Sequence, residues 1–175
     1  PVTDMGALMP ILYEGAVPVF CDVDPLTGNV TAAAIEAQMT DRTRAVVVTH
    51  LFGMPCDVEE ILELVRSRDV LLIEDCAQAA LAEGASGPVG STGDLACYSF
   101  QQSKHMTTGE GGMLTTNDEA IAERVRMMRL HGIDRDVWDR FTNDRPSWDY
   151  DVKAPGFKYN MPDINAAIGL AQLER

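Results

Sequence analysis

The sequence has few basic residues, and this scarcity limits the partners that the protein can bind. Its 14 lysines and arginines face 27 aspartates and glutamates, for a net charge of −13. Nucleic acids and anionic membrane surfaces bind proteins through clustered positive charge. We therefore expect no nucleic acid and no membrane partner, although a few local hydrogen-bond donors are enough to hold a small phosphorylated ligand.

Cysteine pairs, metal-ligand spacings and long apolar runs are also lacking. The cysteines Cys21, Cys56, Cys76 and Cys97 lie far apart with no C-x-x-C pair, as is typical of small core residues in a reducing compartment. The three histidines have no ligand-like spacing, so we predict no metal site. No apolar run approaches a membrane helix in length and no signal peptide is visible. A cytoplasmic protein is expected.

What the chain does contain is an alternation of apolar strands and amphipathic helices. Strands are predicted over residues 17–23, 44–49, 70–73, 95–100 and 112–116. Helices are predicted over residues 31–39, 57–65, 117–131 and 164–173. This order is typical of an α/β protein with a mostly parallel sheet. Residues 131–162 follow no period, and so long an irregular segment is either functional or disordered.

Polar side chains stand where three of these strands end. Ligands of open α/β sheets gather at the carboxyl ends of strands, where His50, Asp75 and Ser99 fall. A carboxylate at Asp75 is able to hold a pyridine nitrogen protonated, and the protonated ring is an electron sink. The alternative for Asp75 is an ordinary loop cap. His50 is either a ligand of such a ring or a structural histidine with satisfied hydrogen bonds.

A single lysine lies in the polar turn that follows Ser99. Lys104 is five residues further on, within reach of the same ligand, and a lysine with a depressed pKa is a nucleophile that forms imines. The alternative is a solvated surface lysine. The glycine cluster at 109–112 lets the backbone pass close to a ligand. No G-x-G-x-x-G fingerprint is present, which disfavours an NAD-binding fold.

Several motifs together resemble one known family. They occupy residues 15–22, 49–53, 73–78, 99–112, 156–161 and 163–169. In this order they resemble the PLP-dependent nucleotide-sugar aminotransferases of the DegT/DnrJ/StrS group, of aspartate aminotransferase fold type I. The resemblance covers essentially the whole chain. It implies a three-layer α/β/α sandwich with a mostly parallel mixed sheet, and pyridoxal 5′-phosphate (PLP) as the cofactor.

The resemblance also implies roles for individual residues. By it, Lys104 forms the imine with the cofactor, and Asp75 pairs with the pyridinium nitrogen. Gln78 lies beside the phenolic oxygen of the ring, and Ser99 binds the cofactor phosphate. His50 is carried as a further cofactor-binding candidate.

The closing segment is expected to serve a neighbouring subunit. By the same resemblance, Lys158 and Asn160 lie in the segment that reaches the neighbour's phosphate, which implies a homodimer with shared active sites. Many relatives have Asn at the position of Lys158 and Arg at that of Asn160. Near the start, Thr3-Asp4 replaces a Thr-aromatic pair that stacks on the ring, so weaker stacking is expected.

The family's upstream phosphate loop and C-terminal small domain are not found in this sequence. Residues 1–175 are therefore expected to be part of the PLP-binding large domain, with 131–162 as an irregular substrate or dimer segment.

The implied activity is transfer of an amino group, from glutamate by analogy, to a nucleotide-linked keto-sugar. One alternative is a PLP- or PMP-dependent sugar dehydrase. Those relatives carry His at the position of Lys104, and the adjacent His105 keeps that alternative open. The other is a non-catalytic relative that binds a nucleotide sugar.

Overall fold

A mixed sheet forms the centre of the computed structural model, which describes residues 1–134 and 149–174. Its strands are β1 (Ala45–Thr49), β2 (Leu71–Asp75), β5 (Leu95–Ser99) and β6 (Gly112–Thr115), in that spatial order. A short hairpin of β3 (Glu83–Gly84) and β4 (Gly87–Pro88) lies between β2 and β5 in the chain. β1, β2 and β5 run parallel, and β6 runs antiparallel to β5. The α/β class and the mostly parallel sheet are confirmed.

Three of the five helices in the described residues begin at a side chain that caps them. The five helices are α1 (Met5–Tyr13), α2 (Ala32–Glu36), α3 (Val58–Arg66), α4 (Glu119–Met128) and α5 (Asp163–Leu173). Thr31 accepts a hydrogen bond from the Ala34 amide, and Asp118 accepts two from the first turn of α4. α2 and α4 are each about one turn shorter than predicted, and α1 was not predicted.

One face of the sheet is closed by α2 and α3. Ile35, Ile61 and Val65 from these helices pack on Val48 and Leu72 of the sheet, all at most 2% exposed. Because side chains alternate along a strand, the neighbouring residues of β1 and β2 point to the opposite face, which is much more open. The described contacts establish this one helical layer, and the second outer layer stays a prediction.

The strand predicted over residues 17–23 is wrong. Among the described residues only Val23 pairs there, in an isolated bridge with Val30, and Val17 and Val19 are 72% and 61% exposed. A groove of about 650 Å³ lies between this segment and β1. A strand needs a hydrogen-bonded neighbour, so local strand propensity alone does not make one here.

The irregular segment is tied back to the end of α4. The His131 amide donates to the Phe157 carbonyl, and Leu130 forms a bridge with Lys158. Gly132 passes so close to the Ala154 carbonyl that a Cβ would lie only 1.8 Å from its oxygen. The predicted segment 131–162 is thus non-helical in its described parts, and its middle, 135–148, lies outside the described residues. Within the described ranges, no helix combines the length and the apolar character that crossing a bilayer requires.

Candidate active site

Three polar side chains lie at the carboxyl ends of the parallel strands. Thr49, Asp75 and Cys97 are register partners across β1, β2 and β5, so their side chains share one face. Ser99 lies two residues beyond Cys97 and therefore on that face as well. We call Thr49, Asp75 and Ser99 the strand-end cluster. It lies on the face that α2 and α3 leave open.

The Asp75 carboxylate is held by two hydrogen bonds. Its Oδ1 accepts from the Ala77 amide at 3.1 Å, and its Oδ2 accepts from the Thr49 hydroxyl at 3.3 Å. The Thr49 hydroxyl is in turn 3.2 Å from the hydroxyl of Thr3. A carboxylate offers about four lone-pair positions, so each oxygen keeps capacity for one further donor. The hydrogen bond from the Ala77 amide is a loop cap, as one alternative for Asp75 expects, and the Thr49 hydroxyl orients the carboxylate in addition.

Lys104 lies in a loop that begins at Phe100 and returns to hydrogen-bond with the Phe100 backbone. The Phe100 amide donates to Gly111, and the Phe100 carbonyl accepts from Thr108, at 2.8 and 2.9 Å. These bonds anchor both ends of the Lys104 loop at the end of β5, next to Ser99. Lys104 is half-buried, and in the described part of the chain its ammonium has no hydrogen bond or ion pair. An amine without a partner is available to a ligand.

Helix α5 clamps the base of this loop. The Asn165 side-chain amide donates to the Thr108 carbonyl at 2.7 Å and to the Glu110 carbonyl at 3.0 Å. Gly169 allows close approach, since a Cβ there would meet the Thr108 methyl group at 3.0 Å. Thr108 is 1% exposed, so the clamp is buried on the loop side. Asn165 falls within the motif at residues 163–169, but its acceptors lie more than 50 residues away along the chain, so local sequence does not indicate this contact.

Ser99 and Gln78 keep donors in reserve. The Ser99 oxygen accepts from the Gln101 amide at 3.3 Å, which leaves its hydroxyl proton to donate, as binding a phosphate oxygen requires. The Gln78 side-chain oxygen accepts from the Phe52 amide at 2.9 Å, so its NH₂ group keeps two donors. That contact supports Phe52, which has a left-handed φ of 53°.

His50 lies on the buried side of the sheet rather than with the strand-end cluster. It is 0% exposed, its Nδ1 accepts from the Cys56 amide at 3.0 Å, and its Nε2 lies 2.9 Å from Glu74. Because Nδ1 accepts, the ring proton is on Nε2 and the imidazole is neutral. Both nitrogens are therefore used inside the protein. This favours the structural alternative for His50 over contact with a cofactor ring.

The buried carboxylate of Glu74 accepts the hydrogen bond from His50 and three more from backbone amides. Its Oε1 accepts from the amides of Thr92 and Gly93, and its Oε2 accepts from the Gly90 amide and His50. Burial works to raise the pKa of Glu74, but the four hydrogen bonds together outweigh it and hold the pKa below its ordinary value. The sequence analysis assigned Glu74 no role, although strand alternation already separates it from Asp75.

His50, Glu74 and Cys76 place ligand-type atoms within 4.8 Å of one another. The Glu74 oxygens already accept four hydrogen bonds. Burial, and then the charge of Glu74, raise the pKa of the Cys76 thiol to about 12, which disfavours the thiolate that binds metals. The cluster is a hydrogen-bonded core element.

Lys158 and Asn160 lie in the segment that returns to the end of α4, where the Tyr159 amide donates to the Arg129 carbonyl at 2.8 Å. Lys158 is exposed between Phe157 and Tyr159, whose rings stack at 4.9 Å. Asn160 is half-buried, and its neighbour Met161 contacts the region of Gly111. Their predicted contact with a neighbouring subunit stays a prediction.

Asp4 has a local structural role. Its side chain accepts a hydrogen bond from the Gly6 amide at 2.7 Å and caps α1. The position at which relatives are expected to carry a stacking aromatic therefore begins a helix here. The expected loss of ring stacking is consistent with this use of Asp4 and stays a prediction.

The chain matches the model of the DegT/DnrJ/EryC1/StrS aminotransferase family over residues 1–175. It is 44% identical to the GDP-perosamine synthase of Caulobacter vibrioides over 174 residues, which are 99% of this chain and 44% of that protein. It is 41% identical to the spore coat polysaccharide biosynthesis protein SpsC of Bacillus subtilis, covering 100% of this chain and 45% of SpsC. The chain thus spans less than half the length of these curated relatives.

Solved structures of similar proteins share the fold. The aminotransferase from Psychrobacter cryohalolentis superposes with a TM-score of 0.89 at 38% identity, covering 99% of this chain and 44% of that one. The sugar aminotransferase Spr1654 from Streptococcus pneumoniae, described as putative, superposes in its PMP form with a TM-score of 0.88 at 29% identity, covering 99% and 48%. The same protein has also been solved in a PLP form.

Proposed function

Because this chain belongs to the DegT/DnrJ/EryC1/StrS aminotransferase family, we propose that the intact protein is a PLP-dependent transaminase acting on a nucleotide-linked keto-sugar. The observation that supports the proposal is that an oriented carboxylate, Asp75, ends β2, while Lys104, whose amine has no partner among the described residues, lies in the loop that follows the neighbouring strand β5. The GDP-perosamine synthase among the relatives supports a sugar nucleotide as the substrate class. Glutamate is proposed as the amino donor by analogy.

The residues present suit the cofactor chemically. A carboxylate with spare acceptor capacity suits a protonated ring nitrogen, and a lysine amine without an ion-pair partner suits the cofactor aldehyde. Within the described residues, the hydroxyl proton of Ser99 and the NH₂ group of Gln78 have no acceptor, so they are donors for the phosphate and the phenolic oxygen. We propose these four residues as the cofactor-binding set and leave His50 out of it.

When bound, the cofactor supplies an electron sink for negative charge that develops at the donor's α-carbon. Asp75 holds positive charge at the ring nitrogen by charge pairing, and the two hydrogen bonds from Ala77 and Thr49 keep its carboxylate turned toward the open face. Lys104 Nζ is the base that takes the proton from the α-carbon. Acid–base catalysis of this kind typically contributes about 10² to 10⁴ in rate.

The finer features of the proposal concern assembly. We propose that residues 1–175 are part of the cofactor-binding large domain, and that Lys158 and Asn160 reach the cofactor phosphate of a second subunit in a homodimer. The exposure of Lys158 next to the stacked pair Phe157 and Tyr159 is compatible with such a surface role. A cytoplasmic location is proposed from the free cysteines at 21, 56, 76 and 97.

Covalent labelling tests the central assignment. Borohydride reduction of the intact protein with PLP, followed by peptide mass mapping, is expected to place a pyridoxyl group on Lys104. Lys104→Arg should abolish both this label and the visible absorbance of the bound cofactor. Lys153→Arg is the matched control, since Lys153 is exposed and pairs with Asp134 and Asp151, and it should leave both unchanged.

The outcomes separate the competing functions. No label on any lysine would support the non-catalytic sugar-nucleotide binder, and a label on a lysine other than Lys104 would contradict the site assignment. The dehydrase alternative is tested with the sugar product, because a transaminase delivers an amino sugar and a dehydrase removes a hydroxyl group. The available amine of Lys104 favours the transaminase.

A further inference from the structure

A hydroxyl group that the sequence analysis did not single out contacts the Asp75 carboxylate. Thr49 is the register partner of Asp75 on the adjacent strand, and its hydroxyl donates to Asp75 Oδ2 at 3.3 Å. Both residues are half-buried, on the open face of the sheet. Because parallel strands lie about 4.8 Å apart, a short side chain at this register position is enough to reach the carboxylate.

The direction of the hydrogen bonds follows from the chemistry of the groups. An ionised carboxylate only accepts, so the single hydroxyl proton of Thr49 must go to Asp75. The 3.2 Å contact between the Thr49 and Thr3 hydroxyls must therefore use the proton of Thr3. The result is a one-way chain from Thr3 to Thr49 to Asp75. In such a chain each donor polarises the next.

We propose that Thr49, supported by Thr3, is a positioning residue that keeps the Asp75 carboxylate oriented for a positively charged ring nitrogen. The Ala77 amide holds Oδ1 of Asp75, and the Thr49 hydroxyl holds Oδ2. Together the two hydrogen bonds limit rotation about the side-chain bonds of Asp75. This inference rests on the proposed function, since it assumes that Asp75 faces the cofactor.

An isosteric variant and a cofactor analogue together separate positioning from general stability. Thr49→Val keeps the approximate size and the β-branching of the side chain and removes the hydroxyl, which donates to Asp75 and accepts from Thr3. Apo-protein is titrated with PLP and with its 1-deaza analogue, in which carbon replaces the ring nitrogen. Both ligands keep the aldehyde and the phosphate, so contacts of Lys104 and Ser99 are the same for both. Binding is followed by fluorescence and by borohydride labelling.

We expect Thr49→Val to weaken PLP binding about three- to tenfold, the effect of losing one hydrogen bond to a charged group that water partly replaces. Binding of the deaza analogue should change by less than about twofold, since it makes no charge pair with Asp75. Thr49→Ser keeps the donor and should restore PLP affinity. Thr3→Val removes the donor behind Thr49, and should weaken PLP binding selectively by about two- to threefold.

Thr116→Val is the matched control. The Thr116 hydroxyl donates to the Asp94 carbonyl at 2.7 Å, at the opposite edge of the sheet, so this variant loses a hydrogen bond far from Asp75. It should not discriminate between the two ligands. If Thr49→Val does not fold, the selective effect of Thr3→Val decides the question.

Two results would overturn the inference. If Thr49→Val weakens both ligands equally, Thr49 acts through stability alone; if it weakens neither, the hydrogen bond has no role in binding. Either result overturns the role of Thr49 but not the proposed function, provided that Lys104 of the wild-type protein carries the pyridoxyl label. Wild-type protein that binds PLP without any label at Lys104 refutes the proposed function itself, and the inference with it.

Discussion

Replacing the buried Glu74 by glutamine changes one atom and should strongly destabilise the protein. The carboxylate accepts four hydrogen bonds, from the Thr92 and Gly93 amides at Oε1 and from Gly90 and His50 at Oε2. Glutamine keeps one acceptor oxygen, and its NH₂ group then faces two N–H donors. A change of tautomer at His50 does not help, because its Nδ1 already accepts from the Cys56 amide.

The expected cost follows from the two donors that lose their acceptor. Each unsatisfied buried donor costs about 1 to 3 kcal/mol, so Glu74→Gln, which leaves two such donors, should lower the free energy of unfolding by roughly 2 to 6 kcal/mol. Domains of this size have a free energy of unfolding of about 5 to 15 kcal/mol. The loss is therefore large enough to appear clearly as a lower urea midpoint in circular dichroism of the intact protein.

Glu63→Gln is the control, because Glu63 is exposed on α3 and the change should stay within about 0.5 kcal/mol. The folded-state pKa of Glu74 lies below its ordinary value of 4.5. Its stabilising contribution is therefore complete above that pH and is lost as the pH falls below it. The stability difference between wild type and Glu74→Gln should shrink in that range. A variant as stable as wild type at neutral pH would refute the four-bond description.

Two other predictions concern the Lys104 loop and the buried thiols. Asn165→Ala should lower the free energy of unfolding by about 1 to 2 kcal/mol and speed hydrogen exchange at the Thr108 amide. Asn165→Asp should lower it further, because a carboxylate would then face two carbonyl oxygens. Unchanged exchange in both variants would contradict the clamp. Burial, and then the charge of Glu74, raise the pKa of both the Cys56 and the Cys76 thiols to about 12. Mass mapping at pH 8 should therefore find both thiols unmodified by iodoacetamide until guanidinium unfolds the protein. Rapid labelling of the native protein would show instead that this part of the core is open.

Features that depend on neighbouring residues in the chain were predictable. The β-branched run at 46–49 indicated β1, Thr31 indicated the start of α2, and Asn117 or Asp118 was expected to begin α4, which Asp118 caps. Strand ends at Asp75 and Ser99 followed from the same local patterns, and with them the edge at which a ligand would bind. The motif order placed the chain in its family, which the match over residues 1–175 confirms.

Features that depend on register or on a distant partner were not predictable. The strand expected at 17–23 has no hydrogen-bonded neighbour along most of its length, which local propensity does not reveal. The same holds for His50, whose position at a strand end is visible in the sequence, whereas its contacts with Glu74 and Cys56 depend on packing. Asn165 lies in the motif at residues 163–169, but its acceptors are more than 50 residues away, so its contact with the Lys104 loop was not predictable.

The sequence by itself therefore determined the alternation of strands and helices, the family, and the residue types available for cofactor chemistry. Each of these features depends on residues that are close together in the chain. Only the tertiary structure decided which face each strand-end side chain occupies. The parallel register sets Thr49 against Asp75, and the pleat turns Glu74 into the core while Asp75 stays on the open face. That division separates a structural carboxylate from a functional one at adjacent positions in the chain.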